Sequence, residues 1–367
     1  MKVKRQINRL ITLRMALFTS FIELKFIPYL LKTGYCLTMK TLFSDDPING
    51  LQEEILLEIA DDREIAQSRL EKITLENLYN SIEDPSLPHS YAGCSAQLAI
   101  GFAELHGLRY AQEDRIAFGT LPEFEKLTHQ QRLLILEQTI QHLNHVANDN
   151  GMETVGSTLC AAILCENHIY TANVGDSTAY LAVLDQKGQM SQFKRLNETL
   201  HHPTEPAELL RLQKAGKEQF IRYDRLMNLA LSRAVGDTAL ETYGLIHTPD
   251  LSHHEVHLPP NGKAWVIIAC DGLTETPGDS DTLDIATLIQ ENQEKNAQEI
   301  AKILTHHAFA SGSTDNISAL VTSIDPSLKM AKYVAVFDGH GGAECAELLR
   351  TLFHPFLKNT LQQEIKA

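Results

Sequence analysis

The chain has 367 residues, enough for one large domain or two average ones. Its 43% hydrophobic and 22% charged residues are ordinary for a globular protein with a full core. Its 47 acids against 32 lysines and arginines leave a formal net charge of -15, which argues against a nucleic-acid binder, since such proteins carry a basic face.

At the N-terminus, "LRMALFTSFIELKFIPYLL" (13–31) is apolar but interrupted by Arg14, Glu23 and Lys25. Its longest uncharged run, Met15 to Ile22, is far below the ~20 residues of a membrane span, so no integral membrane segment is expected. No small-residue cleavage site follows, which speaks against a signal peptide. The stretch reads either as a membrane-surface or partner-binding helix, or as sequence upstream of a true start at Met39; the second reading is preferred. Residues 46–84 have the four-residue apolar spacing of a helix (Leu51, Ile55, Ile59) before two prolines in "EDPSLPHS" break the pattern. The expected organisation is therefore an N-terminal helical extension over 1–85, with 1–38 upstream of the true start, and a main domain over 86–367.

From Tyr91 onward the pattern changes to short strands. "CSAQLAIGFAELHG" and "EDRIAFGTL" read as strand segments, and 129–149 as an amphipathic helix with Leu136, Ile140, Leu143 and Ala147 on one stripe. "STLCAAILC" and "HIYTANVGD", separated by "EN", read as a hairpin. Further strands are expected at 264–272, 316–324 and 332–339, and helices at about 283–309 and 343–363. With few βαβ alternations, the expected class is α+β: two packed antiparallel sheets flanked by helices rather than a doubly wound sheet. The six cysteines (Cys36, Cys94, Cys160, Cys165, Cys270, Cys345) lack CxxC spacing and read as reduced core thiols. The histidine pairs 201–202, 253–254 and 306–307 lack HExxH spacing, so no zinc site is read from them.

The chemistry is carried by acids at strand ends. Asp338 in "FDGHGG", Asp271 in "ACDGLTE", Asp315 in "GSTDN" and Asp176 in "NVGDS" each adjoin an apolar strand and a glycine, asparagine or serine. One such residue is ordinarily a turn former. Several gathered at strand ends suit hard divalent cations, held as a pair about 3.5–4 Å apart for hydrolysis. If 316–324 and 332–338 pair as a hairpin through "DPSLKM", Asp315 and Asp338 fall at the same end of one sheet.

These motifs resemble the metal-dependent serine/threonine phosphatases of the protein phosphatase 2C type. The resemblance rests on "GLRYAQEDR" (107–115), "GSTLCAAILCENHIYTANVGDSTAYL" (156–181), "LALSRAVGD" (229–237), "VIIACDGLTE" (266–275), "GSTDNISALV" (312–321) and "VAVFDGHGG" (334–342), spanning roughly 91–367. It implies a four-layer αββα sandwich. The order departs from the family pattern, in which the FDGHGG strand and its helix directly follow the Glu-Asp strand. Here that unit stands at 332–363 while "GLRYAQEDR" has stayed behind, so one strand–helix unit is relocated and the strand order is permuted.

Carried over residue by residue, the resemblance implies that Asp338 bridges two metals and that the Gly339 carbonyl binds one of them. Asp271 and Asp315 then hold the other, and Glu113 and Asp114 bind waters on the metals. Asp176 and Glu275 match positions linked to a third, weaker ion, although the family more often has Asp at the Glu275 position. Arg109 matches the phosphate-binding arginine, His340 the general acid, and Asn316 a residue orienting Asp315. For Asn316 and for Asp237 of "SRAVGD" the reading that survives best is that of turn shapers. The implied activity is hydrolysis of phosphoserine or phosphothreonine in a phosphoprotein, using Mn²⁺ or Mg²⁺; a cytoplasmic monomer is expected, with a secreted, host-directed role as the alternative. Two alternatives stand beside it: a catalytically silent binding module, and a hydrolase for another phosphoester.

Overall fold

The computed structural model describes residues 90–274, 281–325 and 330–366. The chain divides into two compact units, Met1–Gln67 and Ser68–Ala367, and all described residues lie in the second. The helices expected over 46–84 and the boundary at 85/86 fall outside the described residues, as do Cys36 and Glu275.

In chain order the strands are β1 (Ser90–Ser95), β2 (Ile100–Leu105), β3 (Arg115–Leu121), β4 (Gly156–Ser157), β5 (Leu159–Cys165), β6 (His168–Val174), β7 (Thr178–Leu184) and β8 (Met190–Arg195). They continue with β9 (Ile221–Arg222), β10 (Arg225–Leu226), β11 (Val235–Gly236), β12 (Asp250–Glu255), β13 (Lys263–Ala269), β14 (Ile317–Ser323), β15 (Ala331–Phe337) and β16 (Gly339–His340). The helices are α1 (His129–Asp149), α2 (Pro206–Lys214), α3 (Asp271–Thr274), α4 (Asp281–Glu291), α5 (Ala297–Ala310) and α6 (Glu344–Lys366).

Two antiparallel sheets form the centre, one in the order β1-β2-β14-β13-β7-β8 and the other β12-β6-β5-β15-β3. Strand residues alternate between faces, and here both faces are apolar because both are covered. Phe102, Phe118, Leu181, Val266, Ile268, Leu320, Val334 and Val336 fill the space between the sheets. On the outer face of the first sheet, Ile267, Ala269 and Val321 meet Ile300, Ala301 and Leu304 of α5. On the outer face of the second, Tyr333 and Phe337 of β15 meet Phe353 of α6, and α6 packs against α1. The layers therefore run αββα, as the resemblance implied.

Helix α1 has the expected bounds. Thr128 caps it, accepting from the Gln131 amide at 3.3 Å while the Gln131 side chain accepts from the Thr128 amide at 3.1 Å. Its stripe of Leu136, Ile140, Leu143 and Ala147 is wholly buried, and each of the larger side chains stabilises by about 1.5–3 kcal/mol. The β5–β6 hairpin closes through Glu166 and Asn167, with Glu166 in left-handed backbone at φ 55°. The helix expected over 283–309 is instead two helices. Asn296 starts α5 afresh by accepting from the Glu299 amide at 3.0 Å, and the Glu299 carboxylate accepts from the Asn296 amide at 3.0 Å.

The expected hairpin of β14 with β15 does not form. Strand β14 is hydrogen-bonded on both edges, to β2 and β13, so it has no edge left for β15. The chain crosses the sandwich and enters the other sheet, where β15 lies between β3 and β5. Beside this crossing, buried Lys332 donates to the carbonyls of Leu98 at 2.7 Å and Ser323 at 2.8 Å, tying β15 to the opposite sheet. Burial holds its pKa down at about 8. The last helix is pinned in turn: Arg115 of β3 donates to Glu347 of α6 at 2.6 Å.

Candidate active site

The site collects at the end of the sandwich where β15 finishes and β14 begins. Asp338 follows the last apolar residue of β15, and its backbone is clamped by Thr158. The Thr158 amide donates to the Asp338 carbonyl at 2.8 Å, and the Asp338 amide donates to Thr158 Oγ1 at 3.2 Å. A carboxylate oxygen of Asp338, one of Asp114 and the Cys270 sulfur all lie within 4.8 Å of one another. Asp338 also shares a hydrogen bond with Asp271, the first residue of the one-turn α3.

Crowding acids away from water has a predictable electrical effect. Burial first, then the charges of Asp114, Asp271 and Asp176, push the Asp338 carboxyl well above the usual range. Burial raises Asp114 to about 7, against the pull of hydrogen bonds from Ser318 and Cys270. Burial and the neighbouring Asp315 raise Asp271. Ser318 Oγ donates to Asp114 Oδ2 at 2.7 Å, whereas Asp114 Oδ1 is buried with no hydrogen-bond partner. Cys270 stays a thiol, because burial and the surrounding carboxylates push it well up.

The rim is built by Asn316, whose role exceeds that of a turn shaper. Its side chain donates to the carbonyls of His106 at 2.8 Å and Ala111 at 3.0 Å, and it accepts from the Glu113 amide at 2.8 Å. That fixes the loop carrying Arg109 and Glu113. The Asn316 amide also donates to Asp315 Oδ1 at 2.7 Å, orienting that carboxylate, and Arg109 forms an ion pair with Asp315. Burial raises Glu113, opposed by the charges of His340 and Arg109. Gly339 has no room for a side chain, since a Cβ there would stand 2.6 Å from the Glu113 carbonyl oxygen. Asp176 is buried beside the cluster, with His202 Nε2 3.8 Å from its Oδ2.

Asp237, read from sequence only as a turn shaper, is the candidate site residue that reading missed. Strand β4 pairs with both β11 and β16, so that Gly156 stands opposite Gly236 on one side and His340 on the other. The residue after Gly236 then reaches the imidazole: His340 Nε2 lies 2.5 Å from Asp237 Oδ2. A Cβ on Gly156 would stand 2.0 Å from Asp237 Oδ2 and 2.5 Å from His340 Nε2, so this glycine makes room for the pair. The signal available in sequence was a buried-looking acid after "SRAVG", but nothing in linear spacing pointed it at His340.

A family model described as "Protein phosphatase 2C" matches residues 106–317, more than half of the chain. The chain belongs to the protein phosphatase 2C family. The matched span stops before β15, so "VAVFDGHGG" lies outside the collinear part. A human integrin-linked kinase-associated serine/threonine phosphatase 2C is 31% identical over 181 residues, which is 46% of this chain and 45% of that protein; the chain thus matches less than half the length of this curated relative. Among solved structures, a serine-threonine phosphatase 2C from Toxoplasma gondii is 18% identical at TM-score 0.45, covering 65% of this chain and 100% of that one. The catalytic domain of the phosphatase PstP, solved with 2 manganese ions, is 17% identical at TM-score 0.36, covering 62% and 99%.

The protein phosphatase 2C family implies divalent cations, and the residues present fit them. The cluster offers carboxylate oxygens, the donors hard cations prefer. One of these, on Asp114, is buried without a partner. The acids repel one another, a repulsion that bound cations relieve as protons do, and the Cys270 sulfur beside them is held protonated.

Proposed function

We propose that this phosphatase 2C family member hydrolyses phosphoserine or phosphothreonine in phosphoprotein substrates, with a pair of Mn²⁺ or Mg²⁺ ions resident in the carboxylate cluster. The observation that supports this best is the convergence of Asp338, Asp271 and Asp114 in one water-poor cluster, with Arg109 and His340 at its rim. Asp338, the Gly339 carbonyl, Asp271 and Asp315 would hold the two ions, with Glu113 and Asp114 reaching them through water. Asp176 and Glu275 would serve a third. When bound, the ions supply Lewis acidity that lowers the pKa of a water and offsets the charge of the phosphoryl group.

The chain's own side chains do the rest. Arg109 uses one nitrogen on Asp315, and with 58% of its side chain exposed it keeps the other donors of its fork for a phosphoryl oxygen. Flanking it, Leu108 is 69% exposed and Tyr110 is fully exposed, an apolar footing for the peptide around the phosphorylated residue. His340 protonates the leaving serine or threonine oxygen. Asp237 holds that imidazole through Nε2, leaving Nδ1 for the proton transfer. Local positive charge is needed because the chain as a whole, at -15, repels a phosphoprotein.

As the sequence reading has it, the enzyme would be a cytoplasmic monomer, a secreted, host-directed role being the alternative. Among the described residues no helix is long and apolar enough to cross a membrane. The test is phosphate release from a phosphothreonine peptide with Mn²⁺, comparing wild type, Asp338→Ala and an EDTA control. Turnover by the wild type alone is expected. A folded wild type that neither turns over nor binds Mn²⁺ overturns the reading and puts the silent binding module first.

A further inference from the structure

Three histidines that no sequence spacing connects meet at the far end of the second sheet. His129 is the first residue of α1, His168 the first of β6, and His253 lies in the edge strand β12. Each offers one ring nitrogen, and these three nitrogens all lie within 4.8 Å of one another. His168 Nδ1 and His253 Nε2 are 3.1 Å apart. Two nitrogens on one tetrahedral ion with bonds of ~2.0–2.1 Å stand about 3.3 Å apart, so this pair needs only a few tenths of an ångström of adjustment. The site lies roughly 20 Å, one seven-residue strand, from the carboxylate cluster that borders the other end of β6.

We infer that His129, His168 and His253 form a binding site for a zinc-class transition-metal dication, held by three imidazoles with the fourth position open to water. Imidazole donors suit zinc, nickel and copper rather than the oxygen-seeking Mg²⁺ or Mn²⁺ of the carboxylate cluster. Burial first, then the neighbouring imidazoles, hold His168 and His253 below the usual histidine range, which keeps their lone pairs available. Tyr170 supplies the supporting contact. Its hydroxyl oxygen lies 2.5 Å from His129 Nδ1 and accepts from Arg132 Nη1 at 2.7 Å. If His129 Nδ1–H donates to that oxygen, Nε2 is left unprotonated for the ion, the usual arrangement behind a metal-bound histidine.

The nearest cation, Arg132, opposes a bound dication. Its guanidinium, however, is spent on the carbonyls of Phe124 and Glu125 and on Tyr170, and Glu255, opposite His168 in register, provides compensating negative charge. The His129 ring now stacks on His253 at 4.4 Å and must turn out of that stack to ligate. It is exposed, at a helix end, so what opposes that turn is its contacts with Tyr170, His168 and His253. An ion there would clip α1 to β6 and to the edge strand β12.

The test is zinc retained by the full chain after dialysis in excess Mg²⁺. It compares wild type, His129→Gln, a His168→Gln/His253→Gln double variant, and an Asp271→Ala/Asp338→Ala variant that disables the carboxylate cluster. One zinc per chain is expected in the wild type and the aspartate variant, and none at this site in either histidine variant. Equal zinc in all four chains overturns the site. Because the double variant could fold poorly, Co²⁺ loaded into the aspartate variant gives a second reading with every histidine in place. An intense four-coordinate visible spectrum supports the site, and the weak spectrum of a six-coordinate all-oxygen ion overturns it.

Discussion

Asp237 adopts left-handed backbone at φ 49°, a conformation that asparagine and aspartate tolerate better than other side chains. Asp237→Asn therefore keeps backbone and shape while changing the group that meets His340. If the carboxylate holds the imidazole in its working orientation, kcat falls at least ~10-fold, as for other residues supporting a catalytic group. KM and melting temperature then stay close to wild type. Gly156→Ala drives a methyl between the two partners and should cause the same loss by a different route. Steady-state kinetics on a phosphopeptide decide this, and unchanged kcat in both variants would reduce the pair to a structural contact. The residues legible in sequence were those whose local pattern is itself unusual: an acid beside glycine at the end of an apolar strand marks Asp338 and Asp271. Asp237 also follows a glycine, but after a strand of only two residues, and the three histidines carry no local mark. Their significance comes from strand register, which brings residues 103 apart to within hydrogen-bond distance.

At the scale of elements, one buried carboxylate does much to fasten α2, beside Leu212 and the bonds of Arg211 to the Gly244 and Ser232 carbonyls. Glu208 accepts from Arg233 Nη2 at 2.5 Å, Arg211 Nε at 2.9 Å and Ser232 Oγ at 2.7 Å. Arg233 continues to Asp250 of β12 at 2.8 Å. Burial alone would raise the Glu208 carboxyl, but those hydrogen bonds outweigh it and hold it down at about 2. A carboxyl held lower in the folded than in the unfolded chain stabilises above its unfolded pKa, and that stabilisation is lost as pH falls toward the folded value. Between about pH 4.5 and pH 2 this group should cost on the order of 3 kcal/mol of stability. Glu208→Gln should lower stability at pH 7 and flatten the acid limb of a urea-melt series. An unchanged acid limb would show that the network is not what fails in acid. Nothing in the sequence reading singled out α2, whose role depends on an arginine 25 residues away, Arg233. Elements with their own complete signal, such as α1 with its capping box and stripe, were legible to the residue. The break between α4 and α5 was missed although it was legible, since residues 290–296 ("QENQEKN") interrupt the apolar period and the Asn296–Glu299 box starts a new helix. The pairing of β14 was not legible, because a strand apolar on both faces gives no sign of which sheet will take it.

The whole molecule sets an acidic cluster at one end of two sheets, and one of them takes its fourth strand, β15, from near the end of the described chain; each feature has a consequence. Without cations, Asp338, Asp271 and Asp114 repel one another. Asp338→Asn should therefore raise the melting temperature in EDTA by about 2–4 °C, equivalent to about 1–2 kcal/mol, while abolishing turnover. Mn²⁺ should stabilise the wild type more than the variant; a variant less stable than wild type in EDTA would show that the repulsion is relieved some other way. The sequence order suggested a relocated strand–helix unit, but not its docking, since the expected hairpin with β14 does not form. What settles the docking is register. Ala331, the first residue of β15, pairs with Leu121, the last of β3, so the end of one strand adjoins the beginning of the other. Helix α6 then packs on α1, the next helix after β3. A chain in which residues 330–366 are spliced by short linkers between Leu121 and Thr128 should thus place β15 between the same neighbours without the crossing from β14. Folds tolerate new connections where chain ends lie close. The spliced chain is expected to keep a cooperative melt and phosphopeptide turnover within about tenfold of the original order. A molten or inactive product would mean that the crossing from β14, with Lys332 beside it, is needed to hold the two sheets together.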